Sequence, residues 1–531
     1  MKKRSVRSIL LGVMVLTVSI ALCACGGDKN AETETDNTSQ EQDADAVAEE
    51  TEGQAEAAGE PTQGGSVVVG KTQDLVSLDP HAVTDAGTRD VVFNLYEGLV
   101  KATPDGELKP AVASDYTISE DAKVYTFTLR DGITFHDGSA VTVDDIKYSL
   151  ERFAEEQSDS SAFSIVEDVV IADDKTVEVH LSEGNSEFLP ELTCGIIPAS
   201  NEDVTGNPIG TGPFKFVSYA PGENLVMERY DGYWGEKAYL DQVTFKFVAD
   251  VETAFMELQA GTLDILNYLT ADQVSTLGDD FTIVNGSMNL VHAMYLNNDY
   301  EPLSNVKVRQ ALCYAVDRQS INDFLFGGAS RLIGTHMIPS LTKYYNEETE
   351  NLYEYNPEKA KEILAEAGYP DGFELSIMVP SAYSQHVSTA EIIAENLKAV
   401  GIDAKMELVE WSTWLSECYQ GRKYQATVVG VDGKLSPSDW FAKYVSTDAK
   451  NFMNYKSEEF DKLFNEAYAT VDADKKAELY KEAEMVLAQD AVNVFIEDPA
   501  DFVAVNSKLA GYQFYPIAAQ DMSTVYYAEQ Q

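Results

Sequence analysis

The sequence predicts an α/β protein of several lobes, and three observations carry that reading. Alternating segments of strand type fill the region from about 101 to 200. Capped, one-sided helices dominate the later half, with short strands between them. The chain is long, with 531 residues of which 44 % are hydrophobic and 10 % aromatic, so it can bury several cores. No internal repeat of about 20–50 residues is visible, which argues against a solenoid or propeller.

Charge narrows the functional classes. Acidic residues number 89 against 38 basic, a formal net charge of -51. Such a chain is poorly matched to a phosphate backbone, so no nucleic-acid partner is expected. Five cysteines are too few for a disulfide scaffold at this length. Cys194, Cys313 and Cys418 read as small buried hydrophobes.

The first 24 residues read as an export signal. Lys2, Lys3, Arg4 and Arg7 form a charged start, and Ile9 to Leu22 an apolar run. That run is short of the roughly 20 residues a spanning helix needs. It ends in Leu22-Cys23-Ala24-Cys25-Gly26, which resembles a bacterial lipoprotein cleavage motif with Cys25 as the lipidated residue. The expectation is an extracytoplasmic protein anchored to a bacterial cell membrane by its N-terminal lipid. Residues 25–64 are acidic and lack aromatics, so they read as a disordered tether held extended by like charges.

The body follows in order. Ser66 to Gly70 reads as a buried strand, Asp79-Pro80-His81 as a turn, and Asp90 to Leu99 as a helix. Tyr125, Phe127 and Leu129 share one face of a strand, and Thr176 to Leu181 alternates again. Thr142 with Asp145 caps a helix that runs to Arg152. Val308, Ala311, Leu312, Ala315 and Val316 make one apolar helical face, and Ser304 reads as a cap ahead of it. Asn356-Pro357 opens a helix that Gly368 and Pro370 close. Ser388 and Glu391 read as a capping box for a helix closed by Gly401. Phe373 to Met378 and Ala426 to Val429 are short strands.

Enzymatic signatures are missing. There is no His-Glu-x-x-His, Gly-x-Ser-x-Gly or Walker loop. Ser304-Asn305-Val306-Lys307 matches Ser-x-x-Lys without its companion motifs. The six histidines are scattered without metal spacing, so no metal or cofactor is expected.

Several stretches together resemble the extracytoplasmic solute-binding protein family 5, the receptors of peptide and nickel ABC importers. They are Ser77 to His81, Asn94 to Leu99, Tyr125 to Asp145, Gly210 to Phe214, Val308 to Leu312 and Asn356 to Ala360, in the family's order. The resemblance implies a two-lobed periplasmic-binding-protein-like fold with an extra inserted domain and a hinge between the lobes. It places the first lobe at about 65–100, 201–286 and 507–531, the insertion at 101–200 and the second lobe at 287–506. It implies a monomeric, non-enzymatic receptor that hands oligopeptides to an ABC permease.

A peptide is an extended zwitterion, so its receptor needs an anion for one end and a cation or donor for the other. By resemblance, Asp432 at the end of Val428-Val429-Gly430-Val431 takes the ammonium end. Family members often carry Gly-Trp before this aspartate, where Val428 and Val429 stand near it here. A turn aspartate before Pro437 is the plainer alternative. Trp411 matches a pocket tryptophan, with Trp414 in the core, or both are core. His386 stands near a carboxylate-contacting position, and a helix N-terminus also favours anions. Tyr96 and Arg89 lie by a first-lobe loop that lines the cleft, or else serve in packing and on the surface. Other ligands remain open, namely a nickel chelate, haem or an oligosaccharide. So do a surface hydrolase acting on cell-wall peptides and a signalling lipoprotein without transport.

Overall fold

The computed structural model describes residues 60–83, 85–156 and 162–528. The expected signal, Cys25 and nearly all of the tether lie outside them. The end of the tether does not: Pro61–Thr62 pairs with Tyr526–Ala528, and the Thr62 hydroxyl donates to the Tyr527 carbonyl at 2.6 Å. The ordered body therefore starts before residue 65.

Two large sheets organise the chain. The first has seven strands, in the order Phe281–Ser287, Ala500–Asn506, Ile265–Leu269, Ser66–Lys71, Gln242–Phe247, Asn224–Arg229 and Phe214–Ala220. The second has six, in the order Arg331–Leu332, Asn493–Asp498, Leu290–Leu296, Ala426–Asp432, Glu374–Pro380 and Asp403–Val409. A four-stranded antiparallel sheet between Ala113 and Leu181 forms the inserted region, with helix Val143–Glu156 against it. Tyr125, Phe127 and Leu129 point into its core. The chain changes from the first sheet to the second after Ser287 and returns at Pro499. The second lobe was expected to run to 506, but Ala500–Asn506 hydrogen-bonds in the first sheet. Its register opposite Phe281–Ser287 carries no signal in its own sequence.

Local chemistry sets the helices. The Thr142 hydroxyl and the Asp145 carboxylate cap each other reciprocally. Asn356 caps Pro357–Glu366 through Lys359 N. Three boundaries differ from expectation. The helix placed at 90–99 is Ala86–Val92, because Asp85 accepts from Thr88 N and starts it early. The helix placed at 388 starts at Ser384, so Ser388 and Glu391 lie inside it. Asn305, not Ser304, caps Val306–Ala315 by accepting from Lys307 N. Cys194, Cys313 and Cys418 are buried free thiols. No helix among the described residues is long and apolar enough to cross a membrane.

Candidate functional site

The topology places a crevice. In the first sheet Ser66–Lys71, Gln242–Phe247 and Ile265–Leu269 run parallel, and Phe281–Ser287 runs the same way. In the second sheet Glu374–Pro380, Asp403–Val409, Ala426–Asp432 and Asn493–Asp498 share one direction. The outgoing crossover joins the end of Ser287 to Leu290, which lies opposite Asp432. The return joins Asp498 to Ala500, which lies opposite Ser287. Both crossovers thus link carboxyl edge to carboxyl edge, and open α/β sheets bind ligands at such edges.

On the second lobe, Asp432 ends its strand exposed, with no ion pair or side-chain hydrogen bond among the described residues. Behind it lies Lys443, buried, with Nζ 3.3 Å from His336 Nε2. Burial pulls Lys443 down to about 8, while Asp439 and Asp432 favour its charge. Trp411 begins two residues beyond Val409 and is 37 % exposed. It stacks on buried Trp414 at 4.9 Å and 9°, and Tyr383 meets it edge-on at 5.5 Å. Trp414 is fixed by its indole N–H, which donates to the Thr427 hydroxyl at 2.9 Å. Asp432, Trp411 and Tyr383 therefore share one carboxyl edge.

On the first lobe, Tyr268 holds a left-handed backbone (φ 60°), with its N–H on Asp501 Oδ1 at 3.0 Å and its ring half exposed. Burial pushes Asp501 up to about 7, with Lys71 opposing and Asp90 adding to the rise. Lys71 itself pairs with Asp90 at 2.9 Å. Tyr268, Tyr383, Lys443 and Asp501 carry no sequence pattern. Strand ends and a twisted backbone, not spacing, bring them to the crevice.

The other sequence candidates divide. Arg89 is exposed on Ala86–Val92, with no ion pair or side-chain hydrogen bond among the described residues. Tyr96 is not a crevice residue. It is buried in the first-lobe core and its hydroxyl donates to the Leu78 carbonyl at 2.9 Å. His386 cannot serve as a cation for a carboxylate. It is buried, its Nδ1 meets His292 Nε2 at 3.2 Å, and its Nε2 accepts from Gly430 N at 3.3 Å. Burial, then the neighbouring His292, depress its pKa to about 2, so it stays neutral.

A row of buried acids lies where the crossovers meet. Burial raises Glu497 and Asp498 to about 8 each. Asp498 accepts from Leu290 N at 3.2 Å, tying the return crossover to the outgoing one. Burial lowers His292 to about 4. These shifts oppose each other in stability. An acid raised in the fold keeps a proton that the unfolded chain has lost, so its stability is lost as pH rises toward 8. A depressed histidine loses stability as pH falls below its unfolded value near 6.5. The denaturation midpoint should therefore fall as pH rises from about 6.5 toward 8, where unfolded-state histidines no longer titrate and the buried acids still hold their protons. Each buried acid contributes up to about 1.4 kcal/mol per pH unit to that fall. Glu497→Gln should make it shallower without removing it, since Asp498 is raised as well; a midpoint that rises over the same range would contradict the assignment.

Comparison with known proteins agrees with this architecture. Residues 107–453 match the family model for bacterial extracellular solute-binding proteins, family 5. The chain is 28 % identical over 494 residues to the dipeptide-binding protein of Escherichia coli, covering 84 % of this chain and 92 % of that one. It is 27 % identical over 464 residues to haem-binding protein A of Haemophilus influenzae, covering 79 % and 84 %. It superposes on the periplasmic binding protein DppA of Helicobacter pylori in complex with the peptide STSA, with a TM-score of 0.70 and 26 % identity over 88 % of this chain and 99 % of that one. The two-lobed α/β fold and the match over most of the body place this chain among the bacterial extracellular solute-binding proteins of family 5, which are transport receptors and not enzymes.

Proposed function

We propose that this chain captures oligopeptides in the crevice and hands them to an ABC permease, as a monomer anchored through lipid on Cys25. The observation that carries the ligand class is Asp432, an exposed carboxylate at a strand end with no cation of its own among the described residues. A peptide ammonium supplies the missing partner. Trp411 and Tyr383 offer ring faces to side chains, and bridging water lets a roomy crevice accept varied sequences. Arg89 is the cation proposed for the carboxylate end. A haem or nickel chelate fits this edge less well, because His386 and His292 bond each other and His336 is held by Tyr444 and Lys443.

Native mass spectrometry of the protein as purified, followed by release of what it carries, tests this reading. Short peptides are expected, and a defined peptide pool should bind in titration calorimetry. Recovery of haem, a metal chelate or a sugar in their place would overturn it.

A further inference from the structure

The inserted region meets the second lobe through a charged contact. No stretch of chain joins the two directly, because the insertion leaves the first lobe and returns to it. Three bonds among others fasten it there. Arg152 Nη1 donates to Asp79 Oδ1 at 2.9 Å, the Tyr230 hydroxyl to the Phe135 carbonyl at 2.6 Å, and Ile196 N to the Glu97 carbonyl at 2.9 Å. Beyond the strand Thr176–Leu181 the chain turns through Asn185. Its carbonyl accepts from the Tyr125 hydroxyl, and its Oδ1 accepts from Glu187 N at 2.9 Å. That turn fixes Glu187, with Phe188 next to it sunk in the insertion's core. The Glu187 carboxylate then meets three donors of the second lobe. Oε1 accepts from the Tyr480 hydroxyl at 2.6 Å and lies 3.8 Å from Lys476 Nζ, both on one face of helix Ala473–Gln489. Oε2 accepts from Ser438 N at 2.8 Å. Glu187, Lys476 and Tyr480 are all buried.

This contact reaches the segment that follows Asp432. The Ser436 hydroxyl donates to the Glu187 carbonyl at 3.0 Å, and Lys434 Nζ pairs with Glu191 at 2.9 Å. Trp440 Nε1 folds the segment back by donating to the Lys434 carbonyl at 2.7 Å. We propose that Glu187 is a positioning residue for ligand capture: it seats the segment behind Asp432 against the inserted region when the lobes are shut, and the contact parts when they open. Its bearing on capture rests on the proposed peptide-receptor function, but the contact itself needs no ligand. The chemistry suits a junction that is made and broken. A buried carboxylate is costly to leave unpaired, which favours the assembled contact, yet every partner is well hydrated once water enters. Polar interfaces between domains, unlike large apolar ones, allow relative motion. A carboxylate is also the group the geometry calls for. Its two oxygens accept from all three donors, whereas an amide would turn a donor of its own toward one of them.

Acetylation of Lys476 in the ligand-free full chain tests the contact. The amine is buried, so the reagent reaches it when the contact parts, and mass spectrometry reads the rate. That rate should rise with urea far less steeply than global unfolding does, because parting the lobes exposes little surface. Hydrogen exchange at Ser438 N should give the same opening constant, since one event frees both groups. Glu187→Gln and Tyr480→Phe should each speed acetylation about tenfold or more, the worth of a hydrogen bond to a charged group. Glu191→Gln, whose partner Lys434 is half exposed, should speed it less than about fivefold. Acetylation that follows global unfolding would overturn the proposal. So would opening constants for Lys476 and Ser438 that differ more than about tenfold, or a Glu187→Gln rate within about twofold of the wild type. With trialanine as the probe, Glu187→Gln should release it about tenfold faster and bind it at nearly the same association rate. Release at the wild-type rate while acetylation rises would overturn the role in capture. A wild type that binds no trialanine would count against the proposed function and leave the acetylation outcomes untouched.

Discussion

Asp432→Ala is expected to weaken peptide binding by about 2–5 kcal/mol, roughly 30-fold to a few thousand-fold in affinity. The range follows from where the charge sits after capture. Asp432 is exposed at the crevice edge, and an exposed ion pair contributes only about 0.2–1 kcal/mol. The larger loss applies if the lobes shut over the peptide and take the ammonium–carboxylate pair out of water. Lys443 lies behind Asp432 and supplies positive potential without an ion pair. Deleting Asp432 therefore leaves the incoming ammonium facing a buried cation. Asp432→Asn keeps the shape and a hydrogen-bond acceptor, so it should lose less than alanine at high salt and nearly as much at low salt. Titration calorimetry of both variants against one peptide makes the comparison. A loss under about fivefold would mean a pair left in solvent, and unchanged affinity would remove Asp432 from the site.

Much of the fold was legible because its signals are local. Alternation marks Val124–Leu129 and Thr176–Leu181, and caps mark Val143–Glu156 and Pro357–Glu366. Boundaries slipped where the start is not marked in the expected place: Asp85 captures Thr88 N upstream of the expected start, and the helix from Ser384 begins ahead of Ser388 with no side-chain cap to announce it. The motifs that carried the family resemblance are mostly joints. Asn94 holds Gln520 O and Met522 N, and Glu97 accepts from Tyr233, Trp234 and Lys101. Gly210 and Gly212 pass too close to the Leu95 and Asn94 carbonyls for any Cβ. Such residues report the fold and say little about the ligand. The crevice was less legible because a cleft residue needs only to be near a strand end. Tyr96 and His386 have the right types beside the right segments, yet one is packed in a core and the other bonds a backbone amide. Tyr268 shows the converse, since its position depends on a turned backbone and a carboxylate more than two hundred residues away in sequence.

Arg309→Leu is expected to cost about 3–5 kcal/mol of stability, because it strands several buried carbonyls at once. Arg309 lies on the inner side of Val306–Ala315 and is buried without a carboxylate in contact. Its Nη1 donates to Leu303 O at 2.9 Å and Ser304 O at 3.3 Å. Its Nε and Nη2 donate to Asp490 O at 3.2 and 2.8 Å, and Nε also reaches Ala491 O at 3.2 Å. Asp490 closes helix Ala473–Gln489, whose last carbonyls have no partner within the helix. Only a planar, forked donor spans the two sets, so Arg309→Lys should recover a minor part of the loss. Burial disfavours the guanidinium charge, but an arginine does not give up its proton in the physiological range. The loss should appear as a lower denaturant midpoint with an unchanged slope. A cost below about 1 kcal/mol would mean that water reaches the carbonyls and replaces the fork. The position of this clamp gives it wider reach than its own helix. Residues 490–492 lead straight into Asn493–Asp498, the strand that carries Glu497 and Asp498 to the return crossover. A loosened clamp should therefore raise hydrogen exchange along that strand before the protein unfolds as a whole, and the inserted region, which has its own core, should stay protected.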